Sequence, residues 1–572
     1  MVPLVADDAR PCYIALLLLG DGTRMTAQRH SKLSGTKGAA ATDHREIEWQ
    51  FDTDELDPVE GWLGRHAPGS SGPTVGITDS YYDTDDWRLY RAGYALRVRE
   101  TDDEVEATMK SLEAAEGSLR NRREISEPLE DEKPATLMES RGPVGSMSRK
   151  IIGGRGLRPL FRIRTRRQRF ALRLDGTAGE VSLDASEIPV GEDTVELRRV
   201  EVETETAPTS GLQDFVEGMR SALDLSPATL SKYETGLYAS GLDPEGDTGF
   251  GPTRIDPSMR SGEVAFAVLR RQFAEMRAHE GGTRLGEDPE ELHDMRVPTR
   301  RMRAAIKVFR DALPERAGWF GEELRWVAQA LGEVRDLDVQ LEGLEGRKQE
   351  ADEESSRSLD KILGITGKRR AEARENMLVV LDSDRYEILE SSFTEMLRRG
   401  PERGTDGRDV AGEPITDVAP ALITRRYRKW RKAAKRLDAS SSPEAFHDTR
   451  KKGKRLRYTL EFVSEVYGEP AQKLVAPLKG LQDDLGDHQD AVVAADYLHE
   501  LGTTTGGTRV PRGVAFKMGV YAERCSREAR DLRAAIPDSK PFRLLTKGKE
   551  WKKFEKVLED RKAFNVPNTG VR

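Results

Sequence analysis

The spacing of apolar residues changes period along the chain, and that change divides it. Between residues 44 and about 205, apolar and polar positions alternate in short runs near 45–51, 76–82, 94–100, 104–111, 121–126, 164–174, 179–184 and 195–205. Gly, Pro and Asp turns separate the runs, so the pattern predicts eight strands and a sandwich or barrel. A helical stretch at 210–223 and a closing segment, Ser231–Tyr238, follow. Residues 241–261 combine Gly, Pro and Asp and read as a linker. From 262 onwards the period becomes three and four, as in Phe266, Leu269, Phe273 and Met276, and again in Leu324, Val327, Ala328 and Leu331. This half is predicted to be helical, divided at the Gly/Asp/Pro-rich stretch 398–419. Residues 1–43 show no sustained period and read as a disordered tail.

The helical half repeats itself. His293-Asp294-Met295-Arg296 precedes Arg300-Arg301-Met302-Arg303, and at a constant offset of 154 His447-Asp448-Thr449-Arg450 precedes Lys454-Arg455-Leu456-Arg457. The same offset brings Leu331-Gly332-Glu333 and Asp336 onto Leu485-Gly486-Asp487 and Asp490. A duplicated helical hairpin unit explains both blocks. On a helix, His293, Arg296, Arg300, Arg303 and Lys307 form one stripe, and His447, Arg450, Lys454 and Arg457 form its counterpart, with Lys451 and Arg455 beside it. Like charges at this spacing repel, and no acid falls at i+4 within the stripes to relieve them. A polyanion would neutralise the row: Arg forks clasp phosphate oxygens and a protonated His adds a donor. Pro298 predicts a kink, or a helix that begins near Val297.

Charge sharpens this division. The net charge of −8 conceals 33 Lys and Arg against 46 Asp and Glu in residues 1–260, and 59 against 54 in residues 261–572. The rear half is therefore net basic and able to attract polyanions. Charged residues are 34% and the hydrophobic set 37% of 572 residues, too apolar for disorder throughout. The longest apolar run, Tyr13–Leu19, is too short to span a membrane and follows acids, so neither a membrane span nor a secretory signal is expected. Cys12 and Cys525 build no disulfide framework, and a reducing cytoplasm is the expected setting.

The paired H-x-x-R-x-x-x-(R/K)-R-x-R helices and L-G-x-x-x-D segments resemble the CHAD domain, the conserved histidine α-helical domain, over about 262–535. The resemblance implies two pseudo-symmetric four-helix bundles whose basic helices line a central pore or groove. It further implies binding of long-chain inorganic polyphosphate at His293, Arg296, Arg300, Arg301, Arg303, Lys307, His447, Arg450, Lys451, Lys454, Arg455 and Arg457. Aromatic interleaving is weak apart from Tyr427, Trp430 and Tyr458, so no specific nucleic acid is expected.

In the strand-rich half, side chains two apart share a face. Glu46 and Glu48 therefore point together, as do Arg97 and Arg99, Arg122 and Glu124, Arg167 and Arg169, and Glu201 and Glu203. A closed barrel with a polar lumen explains all five pairs at once. Such a lumen suits a metal–phosphate substrate: paired carboxylates are hard oxygen ligands for Mg²⁺ or Mn²⁺, and Arg and Lys neutralise phosphate charge. No G-x-x-x-x-G-K-[ST] is present, which excludes a P-loop cradle.

Glu46-Ile47-Glu48-Trp49-Gln50 resembles the E-x-E-x-K opening of CYTH domains, the triphosphate tunnel metalloenzymes, with Gln50 where the motif has Lys. Tyr81-Tyr82-Asp83-Thr84, Gly93-Tyr94-Ala95-Leu96-Arg97-Val98-Arg99, Lys110, Arg122 with Glu124, Thr165-Arg166-Arg167, Asp184, Glu201-Val202-Glu203 and Ser231-Lys232-Tyr233 continue the resemblance over about 44–240. It implies that Glu46, Glu48, Asp184, Glu201 and Glu203 ligate metal. Arg97, Arg99 and Arg122 would bind substrate, with Lys110, Arg167 and Lys232 as catalytic cations.

The expected protein is thus α+β and multidomain. An eight-stranded antiparallel β tunnel with flanking helices (44–240) leads through the 241–261 linker to helical repeats 262–397 and 420–535, joined by 398–419, with an extension at 536–572. The expected activity is Mg²⁺- or Mn²⁺-dependent hydrolysis of inorganic triphosphate, coupled to polyphosphate binding that docks the protein on polyphosphate-rich bodies. The rival readings are a catalytically silent polyphosphate binder, nucleic-acid binding by the basic helices, and a nucleotidyl cyclase.

Overall fold

A computed structural model of the protein describes residues 41–67, 71–174, 177–204, 207–244, 249–402, 409–503 and 511–564. The expected tail and its apolar run lie outside the described residues, except that the first strand already begins at Thr42. Eight strands alternate as the period-two text requires: β1 (Thr42–Asp52), β2 (Ser71–Asp83), β3 (Tyr94–Glu100), β4 (Val105–Ser111), β5 (Leu119–Leu129), β6 (Arg158–Leu174), β7 (Thr177–Val190) and β8 (Asp193–Thr204). They pair antiparallel in the order β5-β4-β3-β2-β6-β7-β8-β1, and a β1–β5 pairing closes the ring. A two-residue strand, Ser226–Pro227, adds to β1 outside the ring.

Closure turns one set of side chains into the bore and the other outward. The outward set is apolar where helices cover it and charged elsewhere, as at the exposed Arg162, Arg164 and Arg166 of β6. Trp49, Phe51, Val181, Leu183, Val200 and Val202 pack under the helices Asp57–His66 and Ser210–Leu223. On the other side, Leu96, Val98, Ala107, Met109 and Ile125 are covered by the helices Pro134–Glu139 and Pro143–Ile152. Both of those helices begin with proline, whose fixed φ and missing N–H suit a first turn. The helix Lys232–Ala239 starts from a capping box in which the Ser231 hydroxyl accepts from Glu234 N at 3.2 Å and Glu234 accepts from Ser231 N at 2.6 Å.

The remaining chain is all-helical. The helices Pro289–Val308 and Pro443–Phe462 each have 20 residues and start 154 apart, as the sequence repeat demands. Each leads to a longer helix, Ala317–Gln349 and Glu469–Thr503. The helix does not begin near Val297: it begins at Pro289 and runs through Pro298, which is buried, while Thr299 donates its hydroxyl to Met295 O at 2.8 Å. The final helices, Lys540–Lys547 and Lys549–Phe564, place Phe542, Leu545, Trp551, Phe554 and Leu558 in the same apolar core as the repeats. Among the described residues no helix is long and apolar enough to cross a membrane.

The two halves meet through a buried ion network. Arg88, in the connection between β2 and β3, donates to Glu390 at 3.1 Å and to Ile152 O at 2.9 Å, and lies 3.5 Å from Glu280. Glu280 also accepts from Arg284 at 2.7 Å and from the Tyr386 hydroxyl at 2.9 Å. Beside it, a Cβ on Gly281 would lie 2.6 Å from that of Ala92, so only glycine permits this approach. Burial and the charge of Glu280 push the Glu390 carboxyl up to about 7.

Removing Arg88 takes the nearest cation from buried Glu390, leaving it Arg155 at 3.6 Å and Arg277 at 3.8 Å, and leaves Glu280 with Arg284 as its one cation. Arg88→Ala should lower the unfolding free energy by about 3–5 kcal/mol, read from urea denaturation of the full chain. A loss below about 1 kcal/mol, the worth of an exposed pair, would refute the anchoring role.

Candidate functional site

The bore of the barrel holds a cavity of about 260 Å³. Its walls are the inward positions of successive strands: Glu46, Glu48 and Gln50 from β1, Arg97 and Arg99 from β3, and Lys110 from β4. β5 adds Arg122 and Glu124, β6 adds Arg167 and Arg169, and β8 adds Glu201 and Glu203. Lys232 closes the set from the capped helix. All five charge pairs read from the sequence therefore line one cavity.

The lumen is not evenly charged. In the closed ring β2 lies four strands from β1 by either path, and β3 lies four from β8, so these strands are opposite one another. Glu201 and Glu203 thus stand across the bore from Arg97 and Arg99, and Glu46 and Glu48, on the strand next to β8, stand across from β2. Near the carboxylate wall, Lys110 pairs with Glu46 and, at 2.7 Å, with Glu124, while Arg122 pairs with Glu48. Acids outnumber cations here. Burial pushes the Glu46 carboxyl up to about 8, with Glu48, Glu124 and Glu203 adding repulsion against the pull of Lys110. Burial likewise raises Glu203. Glu48 and Glu124 go the other way: burial opposes their charge, but Lys110 with Arg122 holds Glu48 down, and Lys110 with Arg97 holds Glu124 at about 2.

On the opposite wall the balance reverses. Asp79 accepts a two-pronged bond from Arg99 at 2.8 and 2.9 Å and lies 3.7 Å from Arg97, which also donates to Thr108 at 3.3 Å. Two guanidiniums share one carboxylate. A third cluster joins the walls, with Arg167 bonded to Asp184 at 2.6 and 2.8 Å and to Glu201 at 2.7 Å. Lys232 contacts Asp184 and stands 3.0 Å from Glu201. Gln50 donates to Glu201 at 3.3 Å, and its own carbonyl oxygen is buried without a partner.

Of the expected metal ligands, Glu46, Glu48, Glu201 and Glu203 line the cavity. Asp184 does not: it is fully buried behind the wall and bonded to Arg167 and Lys232. Among the described residues no three Asp, Glu, His or Cys converge as ligands about one point. The donor chemistry of the carboxylate wall nevertheless fits a hard divalent cation, because its oxygens crowd and repel one another without enough cations to balance them.

The basic helices form a second charged surface. The stripes approach each other, since Arg296, Arg300, Arg450 and Arg457 together bear on Lys454. Burial and then these four arginines lower its ammonium to about 7. Some of the expected residues are paired: Arg296 with Asp336 at 3.3 Å, and Arg301 with Glu461 at 2.8 Å. Glu461 also lies 3.7 Å from Arg457, an i,i+4 acid beyond the end of the second stripe. His447 faces Gln489 at 2.6 Å, and His293 is lowered by burial and by Arg335, which favours neutral imidazole. Among the described residues Arg300, Arg303, Lys307, Arg450, Lys451, Lys454 and Arg455 form no ion pair, and the Nε atoms of Arg300, Arg301, Arg303, Arg450 and Arg457 are buried without a partner.

Residues 45–236 match the CYTH domain family, and residues 267–499 match the CHAD domain family. The chain joins a CYTH domain to a CHAD domain. An uncharacterized protein of Mycobacterium tuberculosis is 29% identical over 248 residues, 41% of this chain and 45% of that protein. An inorganic triphosphatase of Haemophilus influenzae is 26% identical over 162 residues, 28% of this chain and 45% of that enzyme. The chain thus spans less than half the length of these curated relatives. Among solved structures, the CHAD domain from the plant Ricinus communis is 24% identical, covering 50% of this chain and 95% of that one, with a TM-score of 0.42.

The sequence patterns give no site role to several lining residues of the CYTH tunnel: Tyr81 and Ser231, which stand in the motif blocks, Thr108 and Glu180, and Asp79 just behind them. Asp79 and Tyr81 were accessible in principle, because they occupy the same alternate positions of β2 that the charge pairs occupy on other strands. Burial opposes ionisation of Asp79, but Arg99 and Arg97 outweigh it and hold the carboxyl well below its usual range. Its contribution to stability is therefore present above about pH 4 and lost as acid protonates the carboxyl. Asp79→Asn should cost about 3–5 kcal/mol at pH 7 and flatten the acid limb of the pH–stability curve. An unaltered acid limb would refute this role.

Proposed function

We propose that the tunnel hydrolyses inorganic triphosphate, or a related triphosphate end: one water attacks the terminal phosphorus, orthophosphate forms, and the chain shortened by one phosphate departs as the leaving group. The opposed walls carry this reading, with crowded carboxylates on β1 and β8 and surplus guanidiniums on β3. Arg97, Arg99 and Arg122 bind phosphate oxygens in forked geometry. Lys110, Arg167 and Lys232 neutralise the charge that gathers on the departing phosphate. Glu46, Glu48, Glu201 and Glu203 would hold Mg²⁺ or Mn²⁺, which when bound supplies Lewis-acid polarisation of phosphoryl oxygens. Asp184, shared by Arg167 and Lys232, aims these two cations. Polyphosphate docks along the facing stripes of the CHAD domain, where partnerless guanidinium N–H groups favour a chain of phosphates, and this docking would bring the cytoplasmic protein to polyphosphate-rich bodies.

Gln50 favours a second reading. A neutral amide stands beside Glu201 where the motif carries an ammonium, so the tunnel would bind triphosphate yet turn it over slowly. Phosphate release from triphosphate with Mn²⁺ separates the two. Under the first reading Glu201→Gln loses at least about tenfold in rate, and equal release by this variant and wild type would sink the metal assignment. Under the second, Gln50→Lys gains by a similar factor.

Lys454 provides the test of the helical surface. Its ammonium is lowered by burial and by its four arginines, so the anion meets a full charge only below about pH 7. Affinity for long-chain polyphosphate at fixed salt should therefore weaken as pH rises from 6 to 8, and Lys454→Arg should remove most of that dependence. An identical pH profile for the variant would exclude the groove as the binding surface.

A further inference from the structure

A third basic cavity lies outside both charged surfaces described above. The C-terminal helix Lys549–Phe564, beyond the CHAD match, packs against the helix Ile415–Ala434. Between them is a cavity of about 360 Å³ lined by Tyr427, Arg428, Arg431, Lys432, Lys435, Gly548, Trp551, Lys552 and Glu555. Five cations therefore share one space with one carboxylate. Among the described residues none of these five forms an ion pair, and Arg431 Nε is buried without a hydrogen-bond partner. Arg428, Lys432 and Lys435 recur at four and three on one helical face, so mutual repulsion is built into the sequence.

Two further features aim donors into this space. Tyr427 is 4% exposed and its hydroxyl has no partner. Gly548, at φ +73°, forms the turn that opens the C-terminal helix. A Cβ there would lie 3.0 Å from the Tyr427 hydroxyl and 3.5 Å from the Arg431 guanidinium. Glycine thus keeps the cradle open at the point where these donors and the positive end of a 16-residue helix converge.

We propose that this cavity binds the phosphate groups of an oligophosphate, independently of the tunnel and of the facing stripes. The aromatic rings argue for phosphate alone and not for a nucleobase. Trp551 and Tyr427 stack on each other with centroids 3.7 Å apart and planes 8° apart, which uses the faces a base would need.

Hydrogen exchange on the full chain tests the site. Inorganic tripolyphosphate should slow exchange in peptides covering 427–436 and 548–556. Arg431→Gln/Lys552→Gln should weaken that protection at least tenfold while leaving protection of the barrel strands and phosphate release by the tunnel unchanged. These substitutions remove unpaired cations and leave the apolar core intact. ATP should protect as tripolyphosphate does, and adenosine should not. Equal protection by sulfate at matched ionic strength would mean an adventitious ion only and would overturn the proposal. Absence of protection in these peptides, or protection by adenosine, would overturn it as well. Failure of the tunnel reading would show instead as lost turnover with this protection intact.

Discussion

Ionised side chains turned into the bore of a small barrel must each meet an opposite charge, because an unpaired one in low dielectric costs several kcal/mol. This constraint organises the CYTH domain. Arg99 needs Asp79, Arg122 needs Glu48, and Arg167 and Lys232 need Asp184 and Glu201. The ring closes through β1 and β5, the strands that bring Glu46 and Glu48 beside Arg122 and Glu124. With its charged site residues enclosed, the barrel builds its two main apolar clusters on the outside, so the covering helices belong to its hydrophobic core as much as the strands do.

Pairing is complete at some places and incomplete at others, and the shortfall locates the chemistry. Where cations and carboxylates balance, as around Asp184, the groups hold one another in place. Around Glu46 negative charge is in excess and the carboxyl resists ionising, while at Arg97 and Arg99 the excess is positive. The helical half shows the same logic with one sign. Glu461 and Asp336 quiet Arg301, Arg457 and Arg296, but Arg300, Arg450 and Lys454 remain crowded without a contact ion pair, with Asp490 acting on Arg450 and Lys454 only from a distance.

Much of this was legible in the sequence, because strands and helices write their faces with different periods. Paired charges two apart announced the lumen, and the 154-residue offset announced matching basic helices whose bounds coincide. Illegible features were those set by tertiary contact. Helices at 134–139 and 143–152 are short enough to pass for loop between strands, and they form because β3, β4 and β5 present apolar residues that need cover. Asp184 looks like its neighbours in a list of acids, and only burial behind Arg167 and Lys232 separates it from the cavity-lining glutamates. Pro298 reads as a breaker, yet the surrounding core holds it within a continuous helix. The two four-helix bundles expected for the repeats rest on resemblance, because helix bounds alone do not define a bundle.

The Arg88 network has a consequence for how the chain came to be built. It sits on the connection joining two walls of the tunnel, and its counter-charges, Glu280 and Glu390, belong to the helical half. The halves are therefore not beads on a string that can be exchanged at the linker. Swapping either partner for a distant cousin would leave buried Arg88 with Asp86 as its one acid on one piece, and Glu280 and Glu390 each short of a cation on the other. Recombination between such fusions would thus be expected to preserve the pair as one inherited unit.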